Sequence, residues 1–164
     1  MRMKIKTLLV LGFLYGQLSA QSLRIIKQPQ IEALFKPDSG LFVINTWATW
    51  CKPCMEELPL LLKADSMRKS DGIHFVFVSF DMAEDSARVA QTIAKKKMPG
   101  SHYLIDETDW NKLINTIDSS WSGTLPATWF VGPTYKKPVY FAFWDLKQIL
   151  GEMEELKKSN VPKK

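Results

Sequence analysis

The chain has 164 residues, 46% apolar, 24% charged and 12% aromatic, which is one globular domain's worth and excludes disorder or a fibrous repeat. No apolar run reaches the roughly 18 residues that a spanning helix needs. The two cysteines, Cys51 and Cys54, exclude a disulfide-dense mini-protein and a four-cysteine zinc site.

Residues 1–20 read as a secretory signal peptide. Arg2, Lys4 and Lys6 give a basic start, Leu8 to Leu14 an apolar stretch, and Leu18-Ser19-Ala20 a small residue suited to cleavage. The alternative is a buried N-terminal helix or an uncleaved anchor, the one route to membrane contact. Residues 21–164 are then the working domain. The signal holds three basic residues and no acid, so the formal charge falls from +5 to +2 as 22 basic residues become 19 against 17 acids. That balance gives no argument for nucleic acid. Lys95 to Lys97 and the lysines after residue 156 read as solvated helix ends.

Gln28 to Phe35 forms a short helix, and Pro37-Asp38-Ser39-Gly40 a turn. Leu41 to Thr46 is apolar apart from Asn45, as in a buried central strand. From Cys51 the pattern becomes helical, with Met55, Leu58, Leu61, Leu62 and Met67 on the apolar face. Pro53 falls in the first turn, where its missing N–H costs nothing, and Pro59 is expected to kink the helix. Ser70-Asp71-Gly72 closes it, and Ile73 to Phe80 is a second buried strand. Strand, helix and strand in succession favour parallel pairing.

Ala83 to Lys97 forms the next helix, acidic at its start and basic at its end, and Pro99-Gly100 stops it. His102 to Ile105 is a short strand. Trp110, Leu113, Ile114 and Ile117 mark another helix, capped by Thr108 or Asp109. Ser119 to Leu125 is a loop. Ala127 to Val131 and Val139 to Phe143 are strands whose short link makes them antiparallel. Asp145 caps the last helix, with Gln148 placed to complete a capping box. Leu146, Ile149, Leu150, Met153 and Leu156 form its core face. The sum is an α/β domain of three layers, a mixed central sheet flanked by helices.

Trp50-Cys51-Lys52-Pro53-Cys54 stands where a buried strand hands over to a helix. Free backbone N–H groups and the dipole at a helix start favour an anion, and a thiolate is one. The Cys51 thiol is therefore expected to be acidified, with Lys52 adding positive charge nearby. The expectation is an exposed, attacking Cys51 at the helix's first position and a shielded Cys54 one turn inward that resolves the mixed disulfide. A pair so close in sequence closes a tiny ring and is a poor staple, which favours a redox pair over a structural bridge. A zinc site would need two more ligands from His74 and His102, which lie far apart in the sequence, so no metal is expected.

The stretch Val43-Ile44-Asn45-Thr46-Trp47-Ala48-Thr49-Trp50-Cys51-Lys52-Pro53-Cys54-Met55-Glu56-Glu57-Leu58-Pro59 resembles the active-site signature of thioredoxin-fold proteins, and more narrowly of the exported TlpA/ResA-like thiol–disulfide oxidoreductases. Ser122-Gly123-Thr124-Leu125-Pro126-Ala127-Thr128 resembles the cis-proline loop of that family. The resemblance spans residues 28–158. It implies a thioredoxin fold with Cys51 as nucleophile, Cys54 as resolving thiol and Pro126 in the cis form. The backbone of Leu125 would pair with an extended substrate peptide, and Trp50, Lys52 and Pro53 would border it. Cytoplasmic thioredoxins carry a buried Asp where this chain has Asn45, whereas TlpA/ResA-like members place an acid at the position of Glu57. Glu57 lies about one turn beyond Cys54 on the same helix face and is the candidate acid/base.

The function so implied is protein-disulfide exchange outside the cytoplasm of a bacterium, in the periplasm or an equivalent space. The direction is that of a reductant, with no cofactor beyond the Cys51–Cys54 pair. Partners would be protein thiols and disulfides and an upstream membrane electron donor. Two alternatives stand: a thioredoxin-fold binding protein without turnover, and a peroxiredoxin-type peroxidase. The second wants a Thr three residues before its reactive cysteine, where this chain has Ala48.

Overall fold

A computed structural model describes residues 22–160. The signal-peptide expectation for residues 1–20 lies outside the described residues. In chain order the elements are β1 (Leu23–Ile26), α1 (Gln28–Leu34), β2 (Leu41–Trp47), α2 (Lys52–Met67), β3 (Ile73–Ser79), α3 (Ser86–Lys96), β4 (Ser101–Ile105), α4 (Trp110–Ile117), β5 (Ala127–Gly132), β6 (Tyr135–Val139) and α5 (Leu146–Ser159). One six-stranded sheet runs in the order β1-β4-β3-β2-β5-β6. The first four strands are mutually parallel, and β5 and β6 join antiparallel.

The alternation of side chains along the strands divides the interior in two. Val43, Phe75, Phe77 and Phe130 face α2, α3 and α5, meeting Leu58, Leu61, Val89, Ile93, Ile149 and Met153. Ile44, Val76, Val78 and Trp129 face α1 and α4, meeting Ile31, Leu113 and Ile117. Three layers result, as the sequence predicts. On the α1/α4 side an aromatic ladder runs from Phe35 through Trp129 (5.1 Å between centroids) and Trp121 (4.9 Å) to Phe80 (5.5 Å) and Trp110 (5.5 Å). Edge-to-face contacts of this kind add specificity beyond area burial.

Several local expectations are corrected. The first strand, β1, is absent from the sequence reading, because four residues with Arg24 and Ile25 exposed give too little pattern. It pairs with β4 as a parallel edge strand. The second hairpin strand is Tyr135–Val139 rather than Val139 to Phe143. A Pro133-Thr134 turn closes the hairpin, and Pro138 is tolerated because β6 is an edge. Met67, the last residue of α2, has an exposed side chain rather than one in the core. A single 3₁₀ turn, Ala83–Asp85, precedes α3 where a longer helix is expected. Asp145 caps α5 through the Lys147 N–H (2.9 Å), but Gln148 Oε1 is buried without a partner and completes no capping box.

Among the glycines with a positive φ, two differ sharply in what surrounds them. Gly72 (φ +71) ends the α2 connection with open space around its Cα, whereas at Gly100 (φ +81) a Cβ would run into the Phe75 carbonyl. Gly72→Ala should therefore cost about 1 kcal/mol from backbone conformation alone, and Gly100→Ala more than about 2 kcal/mol as the β3–β4 contact is forced apart. Urea denaturation of the two variants checks the order.

Candidate active site

The site is built where β2 ends. Trp47, Ala48 and Thr49 carry the chain off the sheet, and the Cys51 N–H donates back to Ala48 O (3.1 Å) in a tight turn. Cys51 then adopts an extended conformation as the N-cap of α2, and its Sγ accepts the Cys54 N–H at 3.2 Å. Lys52 and Pro53 occupy the first two helical positions. Cys51 and Cys54 are joined by a disulfide. This differs from the expected exposed sulfur at the first helical position. Cys51 is the cap itself, and it is 5% exposed because its sulfur turns inward to Cys54 and packs with Trp47 and Ala48. The surface of the site is instead made by Trp50, which is 66% exposed. Lys52 points to solvent and its ammonium lies 3.7 Å from Glu56, so its charge is shared with that acid rather than directed only at the sulfur.

Just before β5, which pairs with the end of β2, the Leu125–Pro126 peptide bond is cis. Antiparallel pairing of β2 with β5 sets Thr46 opposite Ala127 and Asn45 opposite Thr128. The Thr46 hydroxyl donates to Ala127 O (3.0 Å) and accepts from Ala127 N (3.2 Å), which fixes the residue after Pro126. The Trp121 indole N–H donates to Thr124 O (3.0 Å) and holds the loop from its other end. Trp121 itself is buried in the aromatic ladder. Pro126 is buried and Leu125 half-buried. A cleft of about 340 Å³ opens beside Leu125, lined mainly by Trp50, Phe80, Met82, Trp110 and Ile114.

Glu57 is buried, at 1% exposure, behind the first turn of α2. Its Oε1 accepts from the Asn45 side-chain amide (2.8 Å) and its Oε2 from the Phe143 backbone N–H (2.9 Å). Burial pushes this carboxyl group up to about 7, and the two N–H donors oppose part of that rise. A second buried carboxylate, Asp81, escaped the sequence reading. It accepts from Thr49 N (2.9 Å), the Thr49 hydroxyl and the Ser79 hydroxyl (2.7 Å), clamping the turn that leads into Trp50 and Cys51. Its only sequence signal is an acid directly after an apolar strand. Thr46 likewise escaped, since one threonine in a strand carries no pattern.

Of the two histidines considered as metal ligands, His102 is buried with its Nε2 3.1 Å from Met98 O, and its ring stacks on Phe77. His74 is exposed against Phe42. Among the described residues no three His, Cys, Asp or Glu side chains gather as a metal site, and no helix is long and apolar enough to cross a membrane.

A disulfide capping a helix at the end of a central strand, with a cis-proline loop leading into the antiparallel neighbour of that strand, defines a protein of the thioredoxin fold with a redox-type cysteine pair. The model of the AhpC/TSA family matches residues 30–136, and the chain belongs to that family. It is 40% identical over 91 residues to the thiol-disulfide oxidoreductase ResA of Oceanobacillus iheyensis, covering 56% of this chain and 43% of that one. It is 38% identical over 75 residues to the thioredoxin-like protein YneN of Bacillus subtilis, covering 46% and 44%. The chain thus spans about half the length of the curated relatives it matches. Among solved structures, the thiol:disulfide interchange protein of Chlorobium tepidum superposes with a TM-score of 0.59 at 16% identity, covering 77% of this chain and 84% of that one. That likeness is one of fold.

In an unfolded chain Glu57 would titrate near roughly 4.3, well below its folded value of about 7. The folded protein therefore holds a proton that the unfolded chain releases between those values. The contribution is full at low pH and is lost as pH rises toward 7, up to about 3 kcal/mol in all. Urea denaturation of the oxidised protein from pH 4.5 to 8 should show wild type losing stability relative to Glu57→Gln by an amount of that order.

Proposed function

We propose that this protein is an extracytoplasmic thiol–disulfide oxidoreductase that reduces protein disulfides, with residues 1–20 as its signal and residues 21–164 as the working domain. The observation that carries the reading is the Cys51–Cys54 pair at the N-terminus of α2, joined as a disulfide at the end of the central strand β2. In the reduced protein, the helix end favours Cys51 as thiolate. That thiolate attacks one sulfur of a substrate disulfide, forming a mixed disulfide and releasing the other substrate sulfur as a thiolate. Cys54 gives its proton to the Glu57 carboxylate and attacks Cys51 Sγ. The second substrate thiolate departs, and the Cys51–Cys54 disulfide remains. Two electrons have passed to the substrate, and a dithiol donor upstream, at the membrane, returns them.

The substrate's extended segment would lie along the Leu125 backbone, bordered by Trp50, Lys52 and Pro53. The reductant direction and the location outside the cytoplasm rest on the resemblance to exported TlpA/ResA-like proteins and on the basic, apolar opening of the sequence. Peroxidase chemistry, the other reading that the AhpC/TSA family admits, lacks its threonine. Ala48 stands three residues before Cys51, and the neighbouring Thr49 hydroxyl is engaged by Asp81.

Cys54→Ser removes the resolving thiol and should accumulate Cys51-linked mixed disulfides with partner proteins, seen as thiol-sensitive bands in the exporting host. Cys51→Ser should give none. If Cys54→Ser traps nothing and a variant lacking both cysteines still binds its partner, the protein is a binding module and the exchange reading fails.

A further inference from the structure

The Asn45 side chain uses both hydrogens of its amide in the interior. Its Nδ2 donates to Glu57 Oε1 at 2.8 Å and to Thr128 Oγ1 at 2.9 Å. All three side chains are almost fully enclosed, at 2%, 1% and 0% exposure. Asn45 and Thr128 face each other across β2 and β5, and Thr128 stands two residues after Pro126. The Glu57 carboxyl group therefore has two fixed donors, one from the middle of the sheet and one from the Phe143 backbone.

We propose that Asn45 is a positioning residue, holding the Glu57 carboxyl group behind the cysteine pair and tying it to the strand that follows the cis-proline loop. The functional part of this inference rests on the reading of Glu57 as the proton acceptor of Cys54. The geometry explains why an amide suits the position. A buried carboxylate is stabilised by a donated N–H, and an amide supplies that N–H without a charge of its own. A second carboxylate at position 45 would meet Glu57 Oε1 at hydrogen-bond distance, and the two acids would have to share a proton. An alanine would leave the ionised form with the Phe143 N–H as its remaining donor.

Several charged groups on the elements packed around Glu57 are engaged elsewhere. On α2, Lys52 and Glu56 pair on the solvent side, while Cys54 lies one turn before Glu57. On the loop that carries Phe143, Asp145 caps α5. On α5, Glu152 pairs with Lys137 at 2.7 Å. β2 and β5 contribute the uncharged Asn45 and Thr128.

The test is titration of the Glu57 side-chain carbon by ¹³C NMR in the oxidised full chain, comparing wild type with Asn45→Ala and Asn45→Asp. Asn45→Ala should move the midpoint upward by about one unit or more, the worth of a lost charge-assisted hydrogen bond. Asn45→Asp keeps the side-chain volume and should give two linked steps, the upper one above the wild-type midpoint. A wild-type midpoint in either folded variant overturns the proposal. Should Asn45→Ala fail to fold, Asn45→Asp decides. The disulfide stays closed throughout, so this readout is independent of exchange. A shifted midpoint together with empty Cys54→Ser traps would leave Asn45 in its role and sink the exchange reading.

Discussion

One constraint organises the molecule: a sulfur must serve as the cap of a helix. At the start of α2 the backbone N–H groups have no intrahelical acceptor, and an Asp, Asn, Ser or Thr side chain would ordinarily satisfy one of them. Here Cys51 Sγ accepts from Cys54 N. Sulfur is a weak acceptor when neutral and a strong one as a thiolate, so the cap is best satisfied when Cys51 is ionised. The helix thereby gains from the charge state that disulfide chemistry needs. The turn before it is fixed independently. Asp81, fully buried, holds Thr49 through both its backbone and its hydroxyl, so Trp50 and Cys51 leave the sheet in one direction.

The second half of the site reaches the first through sheet topology alone. Cys51 and Pro126 lie far apart in the sequence, yet β2 and β5 are neighbours. Antiparallel pairing brings the start of β5 beside the end of β2. Thr46, four residues before Trp50, bonds both backbone groups of Ala127, the residue after Pro126. The cis-proline loop is thus referenced to the same strand that delivers the cysteines. The aromatic ladder beneath it, from Phe35 to Trp110, supports the loop through Trp121 and furnishes the floor of the adjoining cleft.

Much of this is legible in the sequence because the determinants are local. Strand β2, the start of α2, the cap Asp109 and the antiparallel hairpin each follow from a few adjacent residues. The motif at 50–54 and Leu125-Pro126 identify the chemistry through resemblance. What escaped depends on tertiary neighbours. β1 is recognisable as a strand only once β4 stands beside it. The hairpin register slipped because Tyr135-Lys136-Lys137 looks like loop until the Pro133-Thr134 turn is known. Burial of Cys51 follows from its bond to Cys54 and its packing against Ala48, neither of which a residue pattern records. Glu57 is a candidate from its spacing along the helix alone, but its enclosure requires Asn45 from the sheet and the Phe143 N–H from a loop 86 residues away.

That enclosure bears on how two chemically identical thiols are told apart. Cys51 caps α2 and Cys54 lies in its first turn, so both feel the positive end of the helix. The dipole alone would acidify the pair together and give no reason for one to attack while the other waits. The asymmetry has to come from side groups. Cys51 stands at the mouth of the helix beside exposed Trp50, whereas Cys54 is nearer the core and one turn from a carboxyl group whose proton affinity burial has raised to about 7. An ionised Glu57 works against loss of the Cys54 proton while it remains a bystander, since two negative charges in one enclosed space repel. In the exchange proposed above, it would accept that proton once Cys51 is committed to a mixed disulfide and the inner thiol must attack. A carboxyl group at its ordinary value would be too weak a base for that transfer, and one raised much further would stay protonated at neutral pH. The opposing effects of desolvation and two N–H donors hold Glu57 between those limits.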